Sequence, residues 1–443
     1  MLSVVLCAAE YPLSTVLAVT IVFLAMIGTV AFNTVYFRRR YFSHKYKIGE
    51  ESDRIWSPDD EFDIEKDVLT VEKTPGKDFV ILTFPDIQIW QPFRLGKKYV
   101  VYNTIKNTVR KTDPDMIVLL GDNAFYYSRQ CYERLAEIME EIGKPWTFVF
   151  GNHDKEGNAD LPALADIFMK EKHCIFSKGP RNLNGIGNFA INVTEKGKII
   201  HTMFFFDSGD AGFVYDEKKV RYLKADKEMK EKMPAYYVCR IHEGEHKGEV
   251  PVGEDWGTFS YDQVQYYRWL LAGIAKANGG KKPESSMFFH MAFYEFNDAY
   301  FDWVENGCDP NVGFGELNVK IGSASVPSGM FDAITEEGST KNVIVGHEHE
   351  NTLSLLYKGV RLSYAVKCGD ECTAFAEKIN GGSTLSIDSD GRGKNYANVY
   401  VPLEGKRHYD KMMWYYYNLD MQKEKEWSEI EAAEEKAKEA DDE

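Results

Sequence analysis

Five short segments of this 443-residue chain end in side chains able to hold a cation. Asp86 and Gln88 follow the apolar run Phe79–Phe84, Asp122 follows Met116–Leu120, and Asn152 follows Pro145–Phe150. In the second half, His290 follows Ser285–Phe289, and His347 and His349 follow Lys341–Val345. Carboxylate, carboxamide and imidazole without thiolate suit borderline or hard ions such as Zn, Fe, Mn or Mg. Seven ligands are too many for one ion and right for two that share a bridging carboxylate. Two ions about 4 Å apart can clamp a phosphoryl group and acidify a bound water. Singly, each residue says little, because an Asp at a strand end is commonly a turn and a lone His commonly a structural hydrogen-bonder. The set and its order carry the argument.

Each apolar run is short and stops abruptly at a polar loop. That is how reactive groups collect beyond the carboxyl ends of strands in an α/β sheet. Between Lys97 and Lys111, Val101, Ile105 and Val109 recur at helical spacing, and Asp113-Pro114-Asp115 ends the run. A second helix is expected through about Ile142. Residues 188–193 and 199–206 flank a turn at 195–198 and read as a hairpin in a second, more antiparallel sheet.

In order, the loops spell Asp-x-Gln, Gly-Asp, Gly-Asn-His-Asp, His and Gly-His-x-His. This series resembles the calcineurin-like metallophosphoesterase superfamily, whose pattern is D-x-H, G-D, G-N-H-[DE], H and G-H-x-H. Phe206-Asp207-Ser208-Gly209, the Q-x-x-x-x-x-W run from Gln263 to Trp269, and Phe289-His290 with Glu295 five on resemble its small purple-acid-phosphatase-like branch. The resemblance spans residues 79 to about 375. It implies a four-layer α/β/β/α sandwich. It also implies one ion held by Asp86, Gln88, Asp122 and His349, and a second held by Asp122, Asn152, His290 and His347. His153 would protonate the leaving oxygen, Asp154 would orient its imidazole, and Asn123 and Glu295 would contact substrate. The implied reaction is hydrolysis of a phosphate ester by a hydroxide that two divalent or trivalent ions activate. A phosphorylated small molecule or a phosphoprotein would be the substrate. A small-diester phosphodiesterase and an inactive, membrane-tethered binding protein are the alternatives.

Three positions depart from the family's pattern. Gln88 stands where most members have His, which should weaken the first ion site. Phe125 stands where classical purple acid phosphatases carry a tyrosinate ligand, with Tyr126 one place off. Glu348 and Thr352 stand where this branch commonly has Asp, at positions expected on the rim. His242-Glu243-Gly244-Glu245-His246 matches the zinc-protease pattern H-E-x-x-H, yet Gly244, Gly248 and Pro251 argue against the helix that motif needs.

The chain as a whole is acidic, with 53 Lys and Arg against 69 Asp and Glu, a net charge of −16. That balance argues against a long nucleic acid as partner. Residues 11–37 carry no charge over 27 positions, enough for a transmembrane anchor. Arg38, Arg39, Arg40, Lys45 and Lys47 follow it, so the positive-inside rule places the remainder in the cytoplasm as a single-pass membrane protein. The sequon at Asn192-Val193-Thr194 would matter only on the lumenal side. Residues 38–76 read as a basic flank and acidic linker, 77–420 as the catalytic domain, and 421–443 as an acidic tail. Residues 50–76 and 421–443 hold most of the negative charge, at −7 and −6. The long connections 211–257 and 291–340 read as walls of a cleft. Cys368 and Cys372 could close a loop and read instead as buried thiols.

Overall fold

Strand β3 (residues 116–120) is buried along its whole length, as a strand enclosed on both faces must be. The computed structural model describes residues 18–29, 45–89, 91–124, 127–209, 221–224, 249–252, 256–319, 321–324, 327–370 and 378–406. After a helix over residues 18–29 and a helical turn at Ile64–Asp67, its elements in chain order are β1 (Leu69–Glu72), β2 (Phe79–Phe84), α1 (Val100–Thr112), β3 (Met116–Leu120), α2 (Ser128–Ile142), β4 (Trp146–Val149) and α3 (Leu161–Phe168). They continue β5 (Phe189–Glu195), β6 (Lys198–Phe205), β7 (Arg221–Lys224), β8 (Glu249–Val252), α4 (Tyr261–Ala277), β9 (Glu284–Phe288) and α5 (Glu295–Glu305). The last are β10 (Gly313–Phe314), α6 (Met330–Glu337), β11 (Thr340–Val345), β12 (Ser354–Tyr357), β13 (Val360–Tyr364), β14 (Gly381–Ile387) and β15 (Gly393–Tyr400).

One sheet of five strands runs β15-β14-β2-β3-β4, and one of eight runs β1-β5-β6-β9-β11-β13-β12-β10. Strands β2, β3 and β4 are mutually parallel, as are β6, β9, β11 and β13 in the other sheet. Successive side chains of the larger sheet point to opposite cores, as the strand period of two requires. Ile191, Val193, Met203, Phe205, Phe288 and Ile344 share one core with the smaller sheet, Phe84 and Leu119 among its members. Ala190, Phe204, Met287, Phe289, Val343 and Val345 join Leu270 and Ile274 of α4 and Ile334 of α6 on the outer side. Val101 and Ile105 of α1 and Leu135 of α2 cover the smaller sheet. The layers are therefore helix, sheet, sheet, helix. A chain of rings, Phe148–Phe176–Phe189–Phe205–Phe288, ties them together with centroids 3.9 to 5.2 Å apart. Each such side chain contributes about 1.5–3 kcal/mol on burial.

The segment read as a linker packs against the domain. Strand β1 pairs parallel with β5, and Trp56 is buried against Tyr266 with ring centroids 5.2 Å apart. Its acidic residues face outward around a few apolar anchors, Trp56, Val68 and Val71, which a charge count averages away. Asn192 lies in the middle of β5, buried, with Oδ1 accepting from Thr202 Oγ1 at 2.7 Å. A glycan there would have to part the strand pair, so the sequon says nothing about orientation. Among the described residues, no helix is long and apolar enough to cross a membrane. Of the expected span 11–37, residues 18–29 are described, as a helix, and the rest lies outside the described residues. Cys368 is a buried free thiol, while Cys372, Phe125, Tyr126, the 242–246 motif and the 421–443 tail lie outside the described residues.

Candidate metal centre

Three parallel strands of the smaller sheet deliver the acidic and amide groups, and two of the larger sheet deliver the imidazoles. Asp86 and Gln88 lie just past β2, Asp122 just past β3, and Asn152 just past β4. His290 lies past β9, and His347 and His349 past β11. Four of these residues, Asp86, Gln88, Asp122 and His347, have left-handed backbone, with φ of 53°, 47°, 51° and 72°. Such conformations cost of order 1–3 kcal/mol each and gather at functional sites. Ladder-like hydrogen bonds hold them: Asp86 N donates to Gly121 O at 3.1 Å and Gln88 N to Asp122 O at 2.8 Å.

Two triads of donor atoms form, each with its atoms within 4.8 Å of one another: Asp122, His290 and His347, and Asp86, Asp122 and His349. They share Asp122, as a bridged pair of ions requires. Asn152 joins the first triad, its Oδ1 lying 3.2 Å from His290 Nε2 and 3.1 Å from His347 Nδ1. Gln88 joins the second, donating Nε2 to Asp122 Oδ2 at 3.1 Å. All seven ligands expected from the sequence are thus brought together. His290 Nδ1 lies 3.0 Å from Leu120 O and donates to it, which turns Nε2 toward the cluster.

The residues fit cations by their unmet needs. Asp86 Oδ1 and Gln88 Oε1 are buried without a hydrogen-bond partner. Burial pushes the Asp86 carboxyl up to about 6. Against burial, the adjacent Asp122 and Asp86 push His290 up to about 10, while His290 holds Asp122 well below the usual carboxylate range. The proton so favoured on His290 is the one a cation would displace. Burial and neighbouring His290 push His347 down to about 3, leaving it neutral and free to ligate. Lys367, 1% exposed, donates Nζ to Asp86 O at 2.8 Å and adds a fixed positive charge that no sequence motif signalled.

His153 stands over the shared carboxylate, with Nε2 3.9 Å from Asp122 Oδ2. Asp154 does not orient it. The Asp154 carboxylate is buried beneath the loop and accepts the backbone N–H groups of Gly151, Asp122, Asn123 and Ala124 at 2.8 to 3.1 Å. Glu156 takes the orienting position instead, with Oε2 2.9 Å from His153 Nδ1. The two lie three apart across a single 3₁₀ turn, Asp154–Glu156, a spacing at which side chains eclipse; that spacing was visible in the sequence. Against burial, Glu156 and Asp122 push the imidazole up to about 9.

The two residues expected to touch substrate are both buried. Asn123 is fully buried and donates Nδ2 to Tyr132 Oη and Val149 O, both at 3.3 Å. Glu295 opens α5, where burial, with Asp332 and Asp298 nearby, pushes it up to about 7. Thr352, expected on the rim, is buried and accepts from Glu316 N at 3.1 Å. The signature from Gln263 to Trp269 is structural. Gln263 closes a capping box with Ser260 and donates Nε2 to Asp207 O at 2.7 Å, and Trp269 stacks on Tyr266. The exposed Trp256 meets the His347 ring edge-on with centroids 4.5 Å apart.

Comparison with known proteins agrees with this geometry. Residues 79–351 match the family described as calcineurin-like phosphoesterase. Two relatives from Arabidopsis thaliana are similar in sequence. "Probable inactive purple acid phosphatase 28" is 22% identical over 59% of this chain and 59% of its own length. "Probable inactive purple acid phosphatase 29" is 23% identical over 57% and 58%. The chain thus spans less than two thirds of the length of these relatives. A dimetal phosphatase from Danio rerio shares 12% identity over 74% of this chain and 99% of its own, with a TM-score of 0.39, too distant a likeness to argue from.

Proposed function

The chain belongs to the calcineurin-like phosphoesterase family, and on that premise we propose that it hydrolyses phosphate monoesters at a two-metal site. The observation that carries the reading is the pair of donor triads meeting at Asp122. Asp86, Gln88, Asp122 and His349 would hold one ion, and Asp122, Asn152, His290 and His347 the other. When bound, two such ions neutralise phosphoryl oxygens and acidify water between them. The chain's own residues do the rest. Asp122 fixes the spacing of the two sites. His153, with Nε2 3.9 Å from Asp122 Oδ2, would supply a proton to the departing oxygen.

Phosphorylated small molecules or phosphoproteins are the substrates this reading favours, with small diesters next. The acidic chain speaks against long nucleic acids. We place the protein at a membrane as a single-pass anchor, supported by the uncharged run 11–37 and by the exposed Val19, Ile21, Phe23 and Leu24 of its described helix. A binding protein without turnover is the second reading, favoured by Gln88 in the first ligand motif and by the names of the Arabidopsis relatives. The full chain, purified in detergent and supplied in turn with Zn, Mn, Mg and Fe, separates the two. The phosphatase reading expects about two ions per chain and hydrolysis of p-nitrophenyl phosphate above that of its diester, lost in His290→Ala. Two ions with no turnover under any metal would establish the second.

A further inference from the structure

Resting on the phosphatase reading, we propose that Glu156 is the residue that positions His153 for proton delivery. The motif's own carboxylate, Asp154, cannot serve, because four backbone N–H groups occupy its two oxygens. Its work is to hold the loop that carries Asp122. Glu156 Oε2 lies within hydrogen-bond reach of the His153 ring, 2.9 Å from Nδ1. Accepting the Nδ1 proton fixes the tautomer and turns Nε2 toward Asp122 Oδ2, 3.9 Å away. The proton is therefore presented on the side where the ester oxygen leaves.

The step balances simply. As water oxygen bonds to phosphorus and gives up one proton to solvent, the ester P–O bond breaks with its electron pair on the leaving oxygen, and the Nε2 proton passes to that oxygen. His153 ends neutral with Nδ1–H still on Glu156, and solvent returns the proton to Nε2. Glu156 is half exposed and off the core, so its variants should fold.

A leaving group that needs no proton should not need Glu156, and this separates positioning from mere structure. The full chain loaded with Mn²⁺ would be assayed on p-nitrophenyl phosphate and on glycerol phosphate, an alkyl ester. Glu156→Ala should lower kcat on the alkyl ester about 10–100-fold while leaving the nitrophenyl ester within about threefold, with metal content unchanged. Glu156→Gln keeps an acceptor oxygen and should restore most of the alkyl-ester rate. Nitrogen NMR of the protein should show a hydrogen-bonded His153 Nδ1–H that Glu156→Ala abolishes. Equal losses on the two esters, or an unchanged Nδ1 signal, would overturn the assignment. If the wild type hydrolyses neither ester, the phosphatase reading fails, and the NMR comparison alone decides whether Glu156 sets the ring.

Discussion

At the residue scale, the glycines of the motifs make room for the ligands. A Cβ on Gly151 would lie 2.2 Å from Asp122 Oδ1, and one on Gly121, whose φ is +87°, would lie 2.5 Å from His290 Nδ1. The two neighbours belong to different parts of the centre. Gly151→Ala should displace the shared carboxylate and weaken both ions, whereas Gly121→Ala should loosen the His290 site first. Isothermal titration with Mn²⁺ would read the difference, with losses of about tenfold or more and a folding cost of about 1–3 kcal/mol. Two substitutions that weakened the ions equally would show that ring and carboxylate move as one.

At the element scale, the helix α4 is pinned to the site's flank by one side chain. Gln263 donates to Asn188 Oδ1 and Asp207 O, both buried, and accepts from Ser260 N at 2.9 Å. Gln263→Ala should cost about 2 kcal/mol or more, from a lost cap and unmet buried partners. Thermal denaturation should show the loss while metal content stays full; a drop in bound metal at matched temperature would give Gln263 a role in the centre itself. The ligand-bearing elements were legible in the sequence because β2, β3 and β4 are short apolar runs, and β9 and β11 end in one, each stopping two or three residues before a ligand. Strands β14 and β15 were not, since Gly381, Gly382, Ser383 and Thr384 carry turn residues into a strand whose packing is supplied by β2. The partner of His153 was missed for another reason. A motif names neighbours in sequence, while the 3₁₀ turn chooses neighbours in space.

At the scale of the whole molecule, the centre ties stability to pH. Against burial, carboxylates push His153 to about 9 and His290 to about 10, above the roughly 6.5 of an unfolded chain. The folded protein thus keeps protons that the unfolded chain has shed. Their contribution is whole below about pH 6.5 and is lost as pH rises through 9 to 10. Chelator-treated protein should therefore melt at progressively lower temperature from pH 7 to 10. Metal should bind with release of a proton from His290 and with apparent affinity that rises with pH. A flat melting profile after chelation would place the imidazole proton elsewhere.

The two sheets divide the donors between them, carboxylates and amides from one and every imidazole from the other. Neither half of the chain can capture a cation firmly by itself. A chain whose second half arrives late or docks askew offers oxygen donors alone, a set suited to hard, loosely held ions. Tight binding is then an inspection that only finished assembly passes. A substitution far away that loosens the contact between layers should be felt first as a leaking metal, well before the fold itself gives way.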